Sequence, residues 1–100
     1  MGILALQYKP KHIWFLGAAL DLKALINRNL FQLDQGLHNN QKLQALWKAD
    51  KDGFVFTVLD RLEYDEEEAN QDYLEELNEL LKMWQDRLAM EKQLQIFLLK

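Results

Sequence analysis

The sequence contains no cysteine, no serine and only one threonine, Thr57. Without cysteine the chain cannot form a disulfide, a thiolate zinc site or a cysteine nucleophile. The scarcity of hydroxyl side chains removes most other candidates for nucleophilic catalysis. One proline and four isolated glycines leave no Gly-rich phosphate loop and no linker between domains. We therefore predict one globular domain over residues 1–100 that is not an enzyme and binds no cofactor.

Metal-ligating side chains are sparse as well. His12 and His38 lie far apart in the sequence and lack the further ligands that a zinc site requires. The turn at residues 50–53 resembles part of a calcium-binding loop. However, Lys48 and Leu59 occupy its two end positions, where such a loop needs carboxylates. The sequence therefore predicts no metal site.

Long hydrophobic runs are absent too. The longest one, from Ile13 to Leu20, has eight residues, whereas a membrane-spanning helix needs about twenty. No convincing small-residue cleavage site follows it, so the run does not predict a secretory signal. We expect a cytoplasmic protein without a membrane partner.

Leucine is the most abundant residue, with 21 copies against four isoleucines, two valines and one threonine. This composition favours helices, because leucine loses little rotamer freedom there. A stripe of apolar residues at helical spacing predicts a first helix that begins near Pro10 and can continue toward Gly36. Its members include Ile13, Leu16, Leu20 and Ala24.

Two more helices are predicted downstream. Asn39 or Asn40 is a suitable N-cap for a short second helix, which ends at the turn of residues 50–53. The third helix begins at Asp65, with Glu68 completing a capping box. Its apolar residues recur every three or four positions, as Tyr73, Leu77, Leu80, Trp84 and Leu88. The sequence predicts a mainly α fold of three helices around one core.

An α+β fold is the alternative, because three segments favour strands. Residues 54–61 begin with the chain's cluster of β-branched and aromatic side chains, and residues 3–8 and 94–99 are short apolar stretches. Together they would form a small sheet. The spacing of Phe54, Val58 and Leu62 also fits a further helix, although we favour a strand.

Acidic residues are concentrated in one part of the chain, whose net charge is −4. Residues 60–79 contain ten acids and one arginine, whereas residues 1–59 contain seven basic and four acidic side chains. The helix dipole and solvation explain part of this run. A second interpretation is a surface that binds a protein partner with a basic surface. Its residues are Asp65, Glu66, Glu67, Glu68, Asp72, Glu75, Glu76 and Glu79.

The predicted function follows from these patterns. The lysines and arginines are scattered rather than clustered, which argues against direct nucleic-acid binding. The many large aromatic rings and the apolar C-terminal segment favour self-association into a homo-oligomer. We predict a small non-enzymatic protein–protein interaction module, such as an adaptor, assembly factor or regulator. The alternative is an acidic inhibitor that mimics nucleic acid and blocks a nucleic-acid-binding enzyme.

Overall fold

The computed structural model of the protein describes residues 1–62, 70–91 and 93–99, and the side chains of residues 70–72 are outside that description. Four strands and three α-helices form the main regular structure of these segments. In chain order they are β1 (Gly2–Tyr8), β2 (Ile13–Ala19), α1 (Leu22–Asp34), α2 (Gln41–Ala49), β3 (Phe54–Arg61), α3 (Asn70–Ala89) and β4 (Gln95–Leu98).

The four strands form one mixed sheet in the order β3-β1-β2-β4. β1 is antiparallel to both of its neighbours, so that Leu6 pairs with Phe15 on one side and with Phe56 on the other. β4 adds to the free edge of β2 in a parallel orientation. The central position of β1 explains its composition, because a strand covered on both faces has apolar residues at consecutive positions.

The prediction of a mainly α fold is therefore wrong. The strands expected at 3–8, 54–61 and 94–99 are present as β1, β3 and β4, but the sheet contains a fourth strand where we predicted helix. Ile13 to Ala19 form β2, and the first helix begins only at Leu22. An apolar run of this length fits a buried strand as well as a buried helix, because periodicity does not distinguish them.

Helices cover both faces of the sheet. On one face, Leu4 and Leu6 of β1 and Phe15 of β2 belong to a core that includes Leu25 of α1 and Trp47 of α2. Successive side chains of a strand point to opposite faces. The residues between them therefore point toward α3, on the other side of the sheet.

The second face packs against α3. Ala5 of β1 and Leu16 of β2 contact the cluster that contains Leu88 and Trp84 of α3. The indole nitrogen of Trp84 donates a hydrogen bond of 3.2 Å to the Asp60 carboxylate in β3. The sheet is thus a middle layer, with α1 and α2 on one side and α3 on the other.

Side-chain caps fix where two helices begin. The Asp21 carboxylate accepts a hydrogen bond of 3.0 Å from the Ala24 amide at the start of α1. At the start of α2, the Asn40 side chain accepts one of 3.0 Å from the Leu43 amide. The structure thereby confirms Asn40 as the cap of the second helix. The predicted capping box at Asp65 and Glu68 lies outside the described residues.

Candidate functional site

A pocket of about 520 Å³ lies at the carboxyl-terminal ends of the parallel strands β2 and β4. It is lined by residues 16–18 of β2, residues 98–99 and parts of α1 and α3. In open α/β sheets, ligands often bind beyond the carboxyl ends of strands. The volume falls within the roughly 300–1,000 Å³ that is typical of small-ligand pockets.

Gly17 lets β2 approach its neighbours closely at this pocket. A Cβ at position 17 would lie 2.8 Å from Cδ1 of Leu99 and 3.5 Å from Cδ2 of Leu25. Leu25 and Leu99 are both buried. Leucine side chains from α1 and from the residue that follows β4 therefore form an apolar part of the lining.

Arg28 supplies the charge of the described lining. It lies on the exposed side of α1 and reaches the pocket wall. Among the described residues, no carboxylate forms an ion pair with Arg28. The described ion pair joins Lys51 to Asp34 at 3.3 Å, and neither of these residues lines the pocket. A guanidinium has five N–H donors in a planar arrangement that matches the oxygens of a phosphate or a carboxylate. Arg28 is therefore available to an anionic ligand.

Three side-chain amides accompany Arg28. Gln32 lies one turn further along α1, Asn39 lies in the loop before α2, and Asn78 lies on α3. Asn39 and Asn78 are exposed and Gln32 is half-buried. None of the three amides forms a side-chain hydrogen bond with another described residue. Each amide offers both donors and an acceptor to a ligand.

A buried hydrogen-bond network holds the loop behind this wall. The backbone N–H of Asn40 donates to Nδ1 of His38 at 3.0 Å, so Nδ1 carries no proton. The proton is therefore on Nε2, which donates to Oδ1 of Asn29 at 2.6 Å. The Asn29 amide group in turn donates to the Leu25 carbonyl at 2.8 Å. Both nitrogens of His38 are engaged, so this residue positions the loop and is not free to act as a base.

Burial also favours the neutral imidazole. His38 is 8% exposed, and desolvation lowers its pKa below the ordinary value of 6.5. The charge of the described lining at neutral pH is therefore that of Arg28.

Gln44 of α2 supports the same loop. Its side-chain oxygen accepts a hydrogen bond of 2.9 Å from the His38 backbone N–H. Its nitrogen donates one of 3.0 Å to the Leu33 carbonyl at the end of α1. The segment between α1 and α2 is thus held by side chains from both helices.

The predicted acidic surface is only partly described. Glu75, Glu76 and Glu79 are exposed on α3, Asp72 lies in α3 with its side chain outside the description, and Asp65, Glu66, Glu67 and Glu68 lie outside the described residues. None of the three described glutamates lines the pocket. A partner-binding role for the eight acids stays a prediction.

The pocket residues were not identified from the sequence. In the sequence, Arg28 is one of several scattered cations, and His38 is a histidine without the further ligands of a zinc site. The polar run from His38 to Asn40 was a signal of a structured loop. It did not reveal the pocket, because α3 and residues 98–99 reach that loop only in the folded chain.

Solved structures with a similar fold include the catalytic domain of the homing endonuclease I-TevI. The TM-score is 0.72 at 19% sequence identity, and the alignment covers 95% of each chain. A variant of the catalytic domain of the intron endonuclease I-TevI, with one glutamate replaced by alanine, gives a TM-score of 0.70 at 20% identity. That alignment covers 94% of this chain and 89% of the other. No protein-family profile and no curated protein sequence matches this chain.

These comparisons correct the functional predictions. Chains with this fold serve as endonuclease catalytic domains. That finding contradicts our predictions of a non-enzymatic adaptor or regulator and of no direct contact with nucleic acid, and nothing supports the alternative of an inhibitor that mimics nucleic acid. The predictions failed because they rested on residue types and charge patterns, which do not specify where a strand, a helix and a loop meet. At sequence identities of 19% and 20%, the similarity to these structures establishes the fold of this chain.

No helix in the described part of the chain is both long and apolar enough to cross a membrane.

Proposed function

We propose that this domain binds nucleic acid and that the pocket between β2, α1 and α3 receives the sugar–phosphate backbone. The similarity to endonuclease catalytic domains supports this class of ligand. The observation that carries the proposal is the position of Arg28, an exposed guanidinium on the pocket wall without a carboxylate partner among the described residues.

Phosphate binding suits the charge and the hydrogen-bond donors of this wall. Arg28 can donate two parallel hydrogen bonds to a phosphate, and charge-assisted bonds are stronger than neutral ones. The amides of Asn39 and Asn78 also line the pocket and leave hydrogen-bonding groups for other parts of a nucleotide. Because Arg28 is the cation of the described lining, we expect weak binding that depends modestly on salt.

A divalent metal ion does not fit the described lining. Nucleases often hold such ions close to the scissile phosphate, and hard cations prefer carboxylate oxygens. The described lining has amides, one guanidinium and an imidazole with both nitrogens engaged, but no carboxylate. The described residues also contain no group of three or more His, Asp or Glu side chains that could hold a metal. We assign no step to a metal ion.

Binding is measured best by fluorescence anisotropy with labelled DNA and RNA oligonucleotides. The Arg28→Gln variant removes the guanidinium, and we expect its affinity to fall about tenfold at roughly 50 mM salt. Gel analysis of the same mixtures, with and without magnesium, measures cleavage of the strand. Absence of saturable binding to every oligonucleotide would contradict the proposal.

Lys23→Gln is the matched control. Lys23 is also exposed on α1 and carries the same charge, but it does not line the pocket. We expect its affinity to stay within about twofold of the wild-type value, because isolated surface charges act weakly at a distance. Equal losses in the two variants would indicate a general charge effect and argue against the pocket.

We further propose a cytoplasmic location. The absence of cysteine supports it, since disulfides are characteristic of oxidising compartments.

A further inference from the structure

We infer that the pocket accepts an unpaired nucleotide, with Arg28 on its phosphate and the amides of Gln32, Asn39 and Asn78 on the edge of its base. This inference rests on the proposed nucleic-acid binding and narrows it to single-stranded or locally opened strands.

The polar groups of the lining favour a base in addition to a phosphate. One guanidinium is enough to bind a phosphate. The other unengaged polar side chains of the described lining are three neutral amides, which come from α1, the loop before α2 and α3. Amide side chains present a donor and an acceptor side by side, the pattern that pairs with base edges.

The apolar groups favour a base for a second reason. Leu25 and Leu99 are buried beside Gly17, and Leu81 of α3 reaches the pocket from the opposite side of the sheet. Unstacked bases are commonly held between aromatic or apolar side chains while their edges form hydrogen bonds. The lining thus combines an apolar surface for the faces of a ring with amides for its edge.

The size of the pocket favours a single base that has left the duplex. A base within a duplex is stacked on its neighbours and its Watson–Crick edge is occupied by the opposite strand. It can enter a recess of about 520 Å³ only after it leaves the stack. Specific recognition of single strands works in this way, through splayed bases. The ligand is therefore an unpaired nucleotide rather than the outer surface of a duplex.

The test compares one labelled oligonucleotide as a single strand and as a fully paired duplex. We expect the single strand to bind at least fivefold more tightly. Arg28→Gln should weaken the binding of all homopolymers to a similar extent, because every nucleotide has the phosphate. Asn78→Ala should change the order of affinity among the four homopolymers, by about fivefold for the base that its amide contacts.

Asn27→Ala is the control for the amide variants. Asn27 is exposed on α1 and does not line the pocket, so we expect it to leave both the affinity and the base preference unchanged. Circular dichroism and thermal unfolding confirm that each variant is folded. Equal affinity for the single strand and the duplex would overturn the inference. An order of affinity among the four homopolymers that is the same in the wild type, Gln32→Ala and Asn78→Ala would also overturn it. Either outcome leaves the proposed function standing, whereas failure to bind any strand would remove the proposed function itself.

Discussion

At the scale of single residues, His38 shows how a buried polar group determines the conformation of a loop. Its Nδ1 accepts a hydrogen bond from the Asn40 backbone and its Nε2 donates one to Asn29. A second proton would convert Nδ1 into a donor that faces another donor. The network therefore requires the neutral imidazole, and burial lowers the pKa of His38 in agreement with this requirement.

The first prediction concerns the dependence of stability on pH. The unfolded chain binds a proton at His38 near the ordinary pKa of 6.5, whereas the folded chain binds it only at lower pH. The free energy of unfolding should therefore decrease as the pH falls below about 6.5, until the folded pKa is reached. Urea titrations between pH 8 and pH 5 measure this decrease.

The His38→Gln variant isolates the contribution of this imidazole. At neutral pH we expect it to be about 1–3 kcal/mol less stable than the wild type, because buried partners lose their hydrogen bonds. The difference between the two proteins should shrink as the pH falls. His12 is exposed, and His12→Gln is the matched control for the loss of an imidazole. A constant difference across the pH range would show that His38 does not titrate differently in the two states.

At the scale of elements, Asn40 joins a helix to the edge of the sheet. Its side-chain oxygen caps α2 at the Leu43 amide, and its side-chain nitrogen donates a hydrogen bond of 3.1 Å to the Leu98 carbonyl of β4. One residue therefore stabilises two elements that are distant in the sequence.

Two substitutions at position 40 separate these roles. Asn40→Ala removes both bonds and should destabilise the protein by about 2 kcal/mol. Asn40→Asp keeps an acceptor for the helix cap and loses only the donor to Leu98, so we expect a loss of about 1 kcal/mol. Amide hydrogen exchange should show faster exchange in β4 for both variants, and faster exchange at the start of α2 for Asn40→Ala alone. Equal loss of α2 protection in both variants would contradict this division.

The elements also show which parts of the fold can be predicted from the sequence. Local signals were sufficient for α2, because the Asn40 cap and the turn at 50–53 bound it on both sides. Local signals were ambiguous for β2, whose residues have apolar neighbours on both faces of the sheet. The pocket could not be predicted, because Gly17, Arg28 and Asn78 are brought together only by the pairing of β2 with β4 and by the packing of α3.

At the scale of the whole molecule, the charge distribution limits how the proposed nucleic-acid ligand could approach. Glu75 lies one turn before Asn78 on α3 and Glu79 lies next to it, and both are exposed. Arg28 lies on α1, which packs on the other face of the sheet. A polyanion is repelled by the first surface and attracted by the second. We therefore expect the strand to enter the pocket from the side of α1.

Neutralising the two glutamates tests this direction of approach. The double variant Glu75→Gln, Glu79→Gln should bind single strands about two- to threefold more tightly at low salt, and this gain should disappear at high salt because of screening. Asp52→Asn with Glu91→Gln changes the net charge equally at exposed positions that do not line the pocket. It should have a smaller effect. Weaker binding after removal of Glu75 and Glu79 would contradict the proposed approach.

The parallel pairing of β4 with β2 has a consequence for the order of assembly. Ile13 of β2 pairs with Gln95 of β4, so this contact forms between segments that are far apart in the chain, and such contacts form slowly. During synthesis, the hairpin of β1 and β2 can fold early, but the wall beside Gly17 can form only after Leu98 and Leu99 have left the ribosome. The pocket is therefore completed by the docking of β4, well after the strands that it joins.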